Sequence, residues 1–566
     1  MKKRISFLLA LMMLTAVAGC SSSEKETTPT TEAAATEAKD TAEKTEKPEE
    51  TKASTEETEA AVDEGFTYPI PGDITLTYFG RLHSKVSATY AGYEELKVVQ
   101  EWFEKTGVTL EFNTPPSGME TEQLNILLAS GDYPDLINYN LHDMPGSFQK
   151  LYQDQVIIKL TENMEEYMPN LMKYYADNPE IERQVVDDEG DYYMIPFLKG
   201  GTYLLATTGP MLREDILKEL SMDPPKTIDE WTEVLTAMRE AYPDVYPLIG
   251  TFASPDGNPG SLRDAFQPAF GLGRDDWYED TNGKVHYTPL QAEYKDYLML
   301  LNEWYSNQLL DPNFATLDTA AVNNSMSSGK SFATFAAGSS GLGAYMNANE
   351  DNPDFSIVGV RTPTLNASDK AMYCTEYEYA PGNMQTAITT SCQNVEAAMR
   401  MYDYAFSEEG YVRFNWGVEG ESFDYVNGKP QYTELILNNP DGDDIDTILA
   451  QYAMTAIKAP AMLVQDPEYM LQYYSLPQQQ DAMEAWLDKD FENKRFPPVS
   501  YTGDEASTLT QAMVDLDTYV LQTSLKFILG TESFDNWDKF ISTIEGMAIE
   551  PALEIQQAAV DRYNNR

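Results

Sequence analysis

Cysteine, histidine and positive charge are all scarce in this chain. It contains three Cys and three His, and its 39 Lys and Arg face 92 Asp and Glu, which gives a formal net charge of −53 at pH 7. A charge of this sign repels nucleic acid and anionic membrane surfaces, so a nucleic-acid partner is excluded. The Cys and His residues form no CxxC or Cys/His zinc spacing, and we expect no metal site of that kind.

Motifs for catalysis and nucleotide binding are missing as well. The sequence has no HExxH and no GxSxG elbow, and the glycine-rich GSSGLG at residues 338–343 lacks the lysine of a P-loop. Glu376 and Glu378 have the composition of a glycosidase carboxylate pair, but a binding or solvent role is the favoured interpretation. We therefore predict no catalytic residue and no cofactor, with an extracellular carbohydrate-active enzyme as an alternative.

Acidic segments that suggest a calcium loop lack the spacing that calcium requires. In residues 277–289, Tyr278 stands where an EF-hand needs its first ligand and Pro289 stands where it needs its last Glu. Asn282 and Gly283 instead predict a β-hairpin turn between two short strands. The acidic segment 440–446 is interpreted as a solvated loop.

Long apolar runs are confined to the first 20 residues. Lys2, Lys3 and Arg4 precede an unbroken apolar run at residues 7–14, and small residues follow up to Cys20. This order is typical of an export signal, and the run is too short to remain as a membrane-spanning helix. Because no second run of that kind follows, the mature protein is predicted to have no membrane span.

The end of this signal, LTAVAGC at residues 14–20, resembles the lipobox of bacterial lipoproteins. The resemblance implies that residues 1–19 form a lipoprotein signal peptide and that Cys20 carries the lipid. The protein would then be anchored on the extracellular face of the cell membrane. An ordinary signal peptide that happens to end in Cys is the alternative.

Aromatic residues and glycine are absent from residues 21–64. This segment contains 14 Asp and Glu, five Lys and ten Thr, and it cannot bury enough apolar surface to fold. We predict that residues 20–65 form a disordered acidic tether that holds the folded part away from the membrane. Two cysteines lie beyond it, Cys374 and Cys392, and the sequence leaves open whether they form a disulfide.

Strand and helix patterns alternate once the acidic segment ends. Apolar and β-branched alternation predicts strands at residues 74–79, 108–112 and 136–139, with helices at residues 90–105 and 121–129 between them. This order is typical of βαβ units in a parallel sheet.

Ligands of open parallel sheets lie beyond the carboxyl ends of the strands. That rule selects the loops after the first and third predicted strands, where the candidate ligand contacts are Arg81, His83, Asn140, His142 and Asp143. The 36 Tyr and seven Trp of the chain favour a wet, polar ligand such as a sugar, because aromatic rings stack on sugar faces. Most of these rings are nevertheless expected to pack in cores.

A series of short motifs runs along nearly the whole mature chain. SGDYPD stands at residues 130–135 and GVEG at residues 417–420, while Thr227 and Glu230 fit a helix capping box. The order of these motifs resembles the extracellular solute-binding proteins of ABC importers, in particular the large sugar-binding lipoproteins of Gram-positive bacteria. The matching segments are residues 102–108, 127–136, 192–196, 213–218, 225–231, 326–338, 386–389, 397–410, 417–420 and 515–562.

This resemblance implies an α/β, two-lobed, periplasmic-binding-protein-like fold with a hinge and a ligand cleft between the lobes. The predicted first lobe covers residues 66–200 and is rejoined by residues 384–425. The predicted second lobe covers residues 201–383, and residues 426–566 form a C-terminal helical part that packs mainly on it. Some relatives carry a calcium loop after the helix that begins at Thr227, but here its carboxylates are missing, and we expect no metal ion.

The resemblance also implies a function. A lipid-anchored, monomeric protein would capture an oligosaccharide in the cleft and deliver it to the permease subunits of an ABC transporter, without covalent chemistry. Peptide or another solute is the alternative cargo. Further candidate ligand contacts are Tyr203, Ser340, Glu376, Tyr377, Trp416 and Glu419. Trp416 is interpreted either as a stacking platform for a sugar ring or as a core residue.

Overall fold

The computed structural model describes residues 67–142, 147–252, 260–379, 384–439, 445–547 and 549–566. All of them belong to one compact unit, Phe66–Arg566. The predicted signal peptide, Cys20, the predicted tether, Asp143 and most of the acidic segment 440–446 lie outside the described residues.

Helices and strands alternate along the described chain. The strands are β1 Ile74–Gly80, β2 Val108–Asn113, β3 Leu136–Tyr139, β4 Ile195–Pro196, β5 Leu198–Lys199, β6 Thr208–Arg213, β7 Trp277–Glu279, β8 Val285–Tyr287, β9 Ala333–Ala337, β10 Ile357–Gly359, β11 Gln385–Ile388, β12 Phe423–Val426, β13 Lys429–Tyr432 and β14 Val464–Gln465.

The α-helices cover most of the remaining chain. They are α1 Ser84–Ser87, α2 Lys97–Thr106, α3 Glu120–Ser130, α4 Ser147–Gln153, α5 Thr161–Tyr167, α6 Pro169–Asp177, α7 Pro179–Val185, α8 Glu214–Leu220, α9 Ile228–Ala241, α10 Leu262–Phe266, α11 Ala292–Ser306, α12 Thr319–Ser327, α13 Ala344–Asn347, α14 Val395–Asp403, α15 Glu408–Asn415, α16 Glu434–Leu437, α17 Ile445–Tyr452, α18 Pro467–Tyr473, α19 Pro477–Trp486, α20 Gly503–Ile528, α21 Trp537–Glu545 and α22 Ile549–Asn564. Among the residues described, none of these helices combines the length and the apolar character needed to cross a membrane.

The larger sheet has five strands in the order β2-β1-β3-β11-β4. β1 pairs in parallel with both β2 and β3, which confirms the predicted βαβ arrangement. β11 returns from much later in the chain and pairs antiparallel with β3 and β4. In β1 the predicted alternation decides which face is covered, since Leu76 and Tyr78 are buried while Thr75 and Thr77 are exposed.

The helix between β1 and β2 shows how the first part of the chain is fixed. The indole N–H of Trp102 on α2 donates to the carbonyl oxygen of Met401 at 3.1 Å, which attaches the later helix α14 to the larger sheet. α2 ends at Gly107, whose φ is 75°. A Cβ at this position would lie 2.6 Å from the carbonyl oxygen of Ile70, so both the backbone angle and the space require glycine.

The smaller sheet has three antiparallel strands in the order β10-β6-β9. Its neighbouring helix α9 begins with the predicted capping box, in which the Thr227 hydroxyl and the Glu230 carboxylate bond each other's backbone N–H groups. The predicted hairpin at Asn282 and Gly283 is also confirmed, because β7 and β8 pair antiparallel across that turn.

Three segments lie side by side where the chain passes between the two sheets. β5 pairs in parallel with β14. On the other side of β5, the N–H of Lys199 donates to the carbonyl oxygen of Glu378 at 2.9 Å. We call residues 196–200, 376–379 and 457–466 the hinge.

Each sheet has its own hydrophobic core. The core on the larger sheet includes Trp102 and Met454, and residues 457–464 contribute to it. The core on the smaller sheet includes Trp231 and also Phe527 on α20. The C-terminal helices α20 and α21 therefore pack with the smaller sheet, whereas the segment just before β14 packs with the larger one. The lobe boundaries given above stay predictions.

Candidate functional site

A cavity of about 460 Å³ lies at the carboxyl ends of β1 and β3. The hinge forms its opposite wall. Its lining residues are Arg81, His83, Tyr93, Glu120, Tyr139, Asn140, Phe197, Met384, Ala456, Ile457, Lys458 and Ala459. Aromatic rings, amide and charged groups therefore face the same space.

The strand register explains why residues far apart in sequence meet here. β1 and β3 are parallel neighbours, with Gly80 opposite Asn138, so the residues that follow them emerge at one edge of the sheet. The structure brings Arg81, His83 and Asn140 together in the lining of this cavity. Their role as ligand contacts stays a prediction.

Buried Tyr93 holds the loop that follows β1. Its hydroxyl donates to the carbonyl oxygen of Arg81 at 2.9 Å and accepts from the backbone N–H of His83 at 3.0 Å. Burial raises the pKa of Tyr93 to about 12, although the hydrogen bond with His83 opposes this increase. His83 Nδ1 in turn accepts from the N–H of Lys85 at 3.3 Å and caps α1. The loop is thus held by one buried hydroxyl and by one helix cap.

Lys458 brings a half-buried cation into the cavity from the hinge. Its backbone has a φ of 55°, and its Nζ lies 5.4 Å from the centre of the Phe197 ring, a distance at which a cation is attracted to an aromatic face. Burial, followed by the charge of Lys199, lowers the pKa of Lys458 to about 8. Arg81 acts in the same direction, and Glu376 opposes the decrease.

A second cavity, of about 210 Å³, shares Ala456 and Lys458 with the first. Its other walls come from the hinge, from the end of β9 and from α18. The lining residues are Lys199, Leu204, Thr207, Ala337, Ser339, Ala456, Lys458, Gln465, Tyr469, Met470, Tyr473 and Tyr474. The shared residues make the two cavities neighbours along the hinge.

A cluster of charges crosses the hinge beside the cavities. The Glu376 carboxylate forms an ion pair with Lys199 and lies 3.7 Å from a guanidinium nitrogen of both Arg274 and Arg495. Burial alone would raise the pKa of Glu376, but the charges of Lys199, Arg274 and Arg495 hold it well below its usual range. Glu376 is therefore ionised at neutral pH and joins a hinge strand to two arginines from elsewhere in the chain.

The other described candidates do not line either cavity. Glu376 belongs to the charge cluster, and the Tyr377 ring has the Lys494 Nζ 5.1 Å from its centre. Tyr203 packs at the edge of the cluster around Trp416. His142 Nε2 lies 3.4 Å from the carbonyl oxygen of Val499. The remaining two, Ser340 and Glu419, are exposed.

The buried position of Trp416 contradicts its interpretation as a stacking platform for a sugar ring. The side chain is 1% exposed and packs with Phe423, Tyr432 and Leu449 in a hydrophobic cluster. Its indole N–H donates to the Asp466 carboxylate at 3.0 Å. Both faces and the polar edge are thus committed inside the protein, and the core interpretation is the correct one.

Sequence reasoning missed most of the aromatic and hinge lining. Tyr139 is the last residue of a strand that was predicted correctly, so the strand-end rule pointed within one residue of it. Phe197 follows the Ile195-Pro196 crossing and had a usable signal as well. Lys458 had none, since the local sequence AIKAP carries neither periodicity nor a motif.

Metal-binding clusters of three or more His, Cys, Asp or Glu were not found among the described residues. Cys374 and Cys392 are both buried, and they are not bonded to each other. Asp280 in the β7–β8 hairpin accepts from the N–H groups of Asn282 and Lys284 and lies 3.0 Å from His286 Nε2. Its carboxylate therefore organises the turn.

Similar sequences cover most of the chain. The profile of the family described as "Bacterial extracellular solute-binding protein" matches residues 86–412. The fructooligosaccharide ABC transporter substrate-binding protein FusA of Streptococcus pneumoniae serotype 4 is 22% identical over 529 residues, which are 88% of this chain and 92% of FusA. Lipoprotein LipO of Bacillus subtilis is 24% identical over 448 residues, which are 77% of this chain and 82% of LipO.

Solved structures share the same architecture. The alginate-binding protein AlgQ2 without calcium ion superposes with a TM-score of 0.68 at 23% identity, over 88% of this chain and 99% of AlgQ2. This likeness confirms the two-lobed, periplasmic-binding-protein-like α/β fold that was predicted from the sequence.

Proposed function

Because this chain belongs to the family of bacterial extracellular solute-binding proteins, we propose that it captures an oligosaccharide outside the cell and delivers it to the permease subunits of an ABC transporter. FusA, which is similar over most of its length, is a fructooligosaccharide-binding protein of such a transporter by its name. The ligand binds between the two lobes, and the hinge allows them to close around it.

The cavity at the ends of β1 and β3 is the observation that carries this proposal. Its volume of about 460 Å³ is within the range of small-molecule sites, roughly 300–1,000 Å³. Tyr139, which is half-buried, supplies aromatic surface for a sugar ring, while Asn140 and Glu120 supply groups that bond hydroxyls. The half-buried ring of Tyr473 in the neighbouring cavity gives a longer ligand a second place to stack.

The protein is proposed to return its ligand unchanged. The two carboxylates that suggested a glycosidase pair are both engaged in other contacts. Glu376 belongs to the charge cluster, and Glu378 accepts from Lys494 Nζ at 2.9 Å and from Gln184 Nε2 at 3.0 Å. Carboxylates held as ionised partners of cations are poorly suited to donate a proton to a glycosidic oxygen.

A lipid on Cys20 is proposed to keep the protein at the outer face of the cell membrane, with residues 20–65 as the tether. LipO, a relative over most of its length, is a lipoprotein by its name. Replacing Cys20 by Ala is expected to release the protein into the medium with its ligand affinity intact. Retention of this variant in the membrane fraction would contradict the anchor.

Binding to a glycan array, followed by calorimetry with the best ligand, tests the proposed function. Tyr139→Ala is expected to weaken binding about tenfold or more, because the ring is lost from the cavity, whereas Tyr139→Phe keeps the ring and most of the affinity. Tyr425, which is 48% exposed on β12, provides the control Tyr425→Ala, with affinity unchanged. Binding to peptides and to no glycan would overturn the proposal, and release of shortened products during incubation would replace it with an enzyme.

A further inference from the structure

Positive charge is concentrated at the cavities of a protein whose net charge is −53. The two linings contain three cations, Arg81, Lys199 and Lys458, and among the described lining residues a single carboxylate, Glu120. An acidic surface with a basic cavity attracts an anion to one place only, since charges of one sign in a cleft focus the local field.

Two of these cations have no counter-ion within the described part of the chain. Lys199 forms an ion pair with Glu376. Arg81 and Lys458 form no ion pair with any described residue, and the contact that Lys458 does make is with the face of the Phe197 ring. A half-buried ammonium group that lacks a carboxylate partner carries a desolvation cost that the folded protein retains.

The charge of Arg81 also disfavours the charged form of Lys458. They line the same cavity, one from the loop after β1 and the other from the hinge. The charge of Arg81 lowers the pKa of Lys458, as does that of Lys199. A negatively charged group between them would relieve this repulsion, and a neutral hydroxyl would not.

We propose that the ligand is an anionic oligosaccharide whose negatively charged group lies between Arg81 and Lys458. This inference rests on the proposed function and specifies its substrate class. A carboxylate, as in a uronic acid, and a sulfate ester offer the same chemistry to the two cations. The position of Lys458 on the hinge means that the charged group contacts both the larger sheet and a segment that joins the lobes.

The first test is a glycan array that holds acidic oligosaccharides, their carboxyl-reduced neutral counterparts and sulfated oligosaccharides. We expect binding to acidic members, with at least a tenfold loss of affinity when the carboxyl groups are reduced to alcohols. Binding to sulfated members alone identifies the charged group as a sulfate. If neutral glycans bind equally well, this inference is wrong and the proposed function stands. If no glycan binds, the proposed function fails and this inference fails with it.

Variants of the full chain provide the second test, by calorimetry with the acidic oligosaccharide selected on the array. Arg81→Gln and Lys458→Gln are each expected to lower affinity about tenfold or more, because each removes a charge-assisted hydrogen bond. Lys458→Arg is expected to keep most of the affinity. Lys173→Gln, an exposed lysine on α6, is the matched control and should leave binding unchanged. Because Arg81 is exposed, Arg81→Gln is expected to fold and to show the effect on affinity even if the Lys458 variant misfolds. Full affinity of Arg81→Gln would overturn the proposal.

Discussion

A buried tyrosine hydroxyl positions the arginine that faces the cavity. Tyr93 bonds the backbone on both sides of the loop that carries Arg81. Tyr93→Phe is therefore expected to lower the free energy of unfolding by about 1–2 kcal/mol and to weaken ligand binding several-fold, because the loop loses two hydrogen bonds. Urea unfolding and calorimetry measure the two effects.

Tyr78 provides the matched control for this variant. Its hydroxyl is also buried in the core of the larger sheet, but it has no hydrogen-bond partner in the described structure. Tyr78→Phe removes an unpaired polar atom and is expected to leave stability unchanged or slightly increased, with binding unaffected. Equal losses in both variants would show that the Tyr93 hydroxyl acts through the space it fills and not through its hydrogen bonds.

The charge of Lys458 is expected to reduce the stability of the ligand-free protein. Burial, Lys199 and Arg81 lower its pKa to about 8 against the ordinary 10.5, with Glu376 opposing, so the folded state binds this proton less tightly than the unfolded state. Lys458→Met should raise the free energy of unfolding at pH 7, by about 1–3 kcal/mol. The gain should shrink between pH 8 and 10.5, as the native lysine loses its charge, and Lys173→Met should show no such pH-dependent gain in the same urea titrations.

Single residues differ in how far the sequence alone could place them. Arg81 and Asn140 were found because the strand-end rule depends only on local strands and their parallel order. Lys458 and Trp416 were beyond that reasoning. The surroundings of each are built by segments distant in sequence, Phe197 in the first case and Tyr432 and Asp466 in the second.

Secondary-structure elements also divide into those that local sequence signals predict and those that depend on distant segments. β1, β2 and β3 were predicted within one residue at each end, because alternation and β-branching are local signals. β5 and β14 contain two residues each, too few to show any period. Each of these strands forms because the folded chain places the other beside it. Pairing between segments distant in sequence produces no local hydrophobic pattern that a prediction could use.

The charge cluster of the hinge is expected to be essential to its folding. Glu376→Gln leaves Lys199 without its carboxylate partner and removes the carboxylate that Arg274 and Arg495 share, although these arginines keep Asp264 and Asp275. Removing one partner of a buried ionic cluster typically costs about 3–5 kcal/mol, which urea unfolding at pH 7 would detect. The exposed ion pair of Glu409 with Lys105 is the control, and Glu409→Gln should cost less than about 1 kcal/mol.

The difference in the free energy of unfolding between the unsubstituted protein and Glu376→Gln depends on pH, because the pKa of Glu376 is lowered in the folded state. Its stabilising contribution is fully present above the unfolded-state value near 4.5 and is lost progressively as the pH falls below it. The gap between the native protein and Glu376→Gln should therefore narrow in acid. A gap that stays constant down to pH 3 would show that shape, and not charge, is what the carboxylate contributes.

In the whole molecule, the last helix is joined to the larger-sheet side of the chain by contacts of the two arginines at its end. Asp188, in the loop after α7, accepts from Arg562 at 2.5 Å and from Arg566 at 2.8 Å. α7 ends in the core of the larger sheet at Val185, whereas α22 begins in the core of the smaller sheet at Ile549. This contact therefore couples the two cores.

Asp188→Asn is expected to lower the free energy of unfolding by about 1–3 kcal/mol, because the nearly buried Arg566 loses its charge partner. The urea transition should also broaden, because two cores that are coupled more weakly unfold less cooperatively. Asp154→Asn, which breaks the exposed ion pair with Lys150, should change neither quantity appreciably. A sharp transition with a full loss of stability would place both cores in one cooperative unit regardless of this contact.

The side-by-side strands of the hinge also determine how the lobes can move. β5 is hydrogen-bonded to β14 on one side and to the Glu378 backbone on the other. The three hinge segments are therefore expected to move together, as a small flat sheet, and not independently of one another. Such a sheet bends readily perpendicular to its plane, but it resists twisting and it resists bending within its plane. We expect opening and closing to be a swing about one axis, so that each capture of a ligand would present the same outer surface to the transporter.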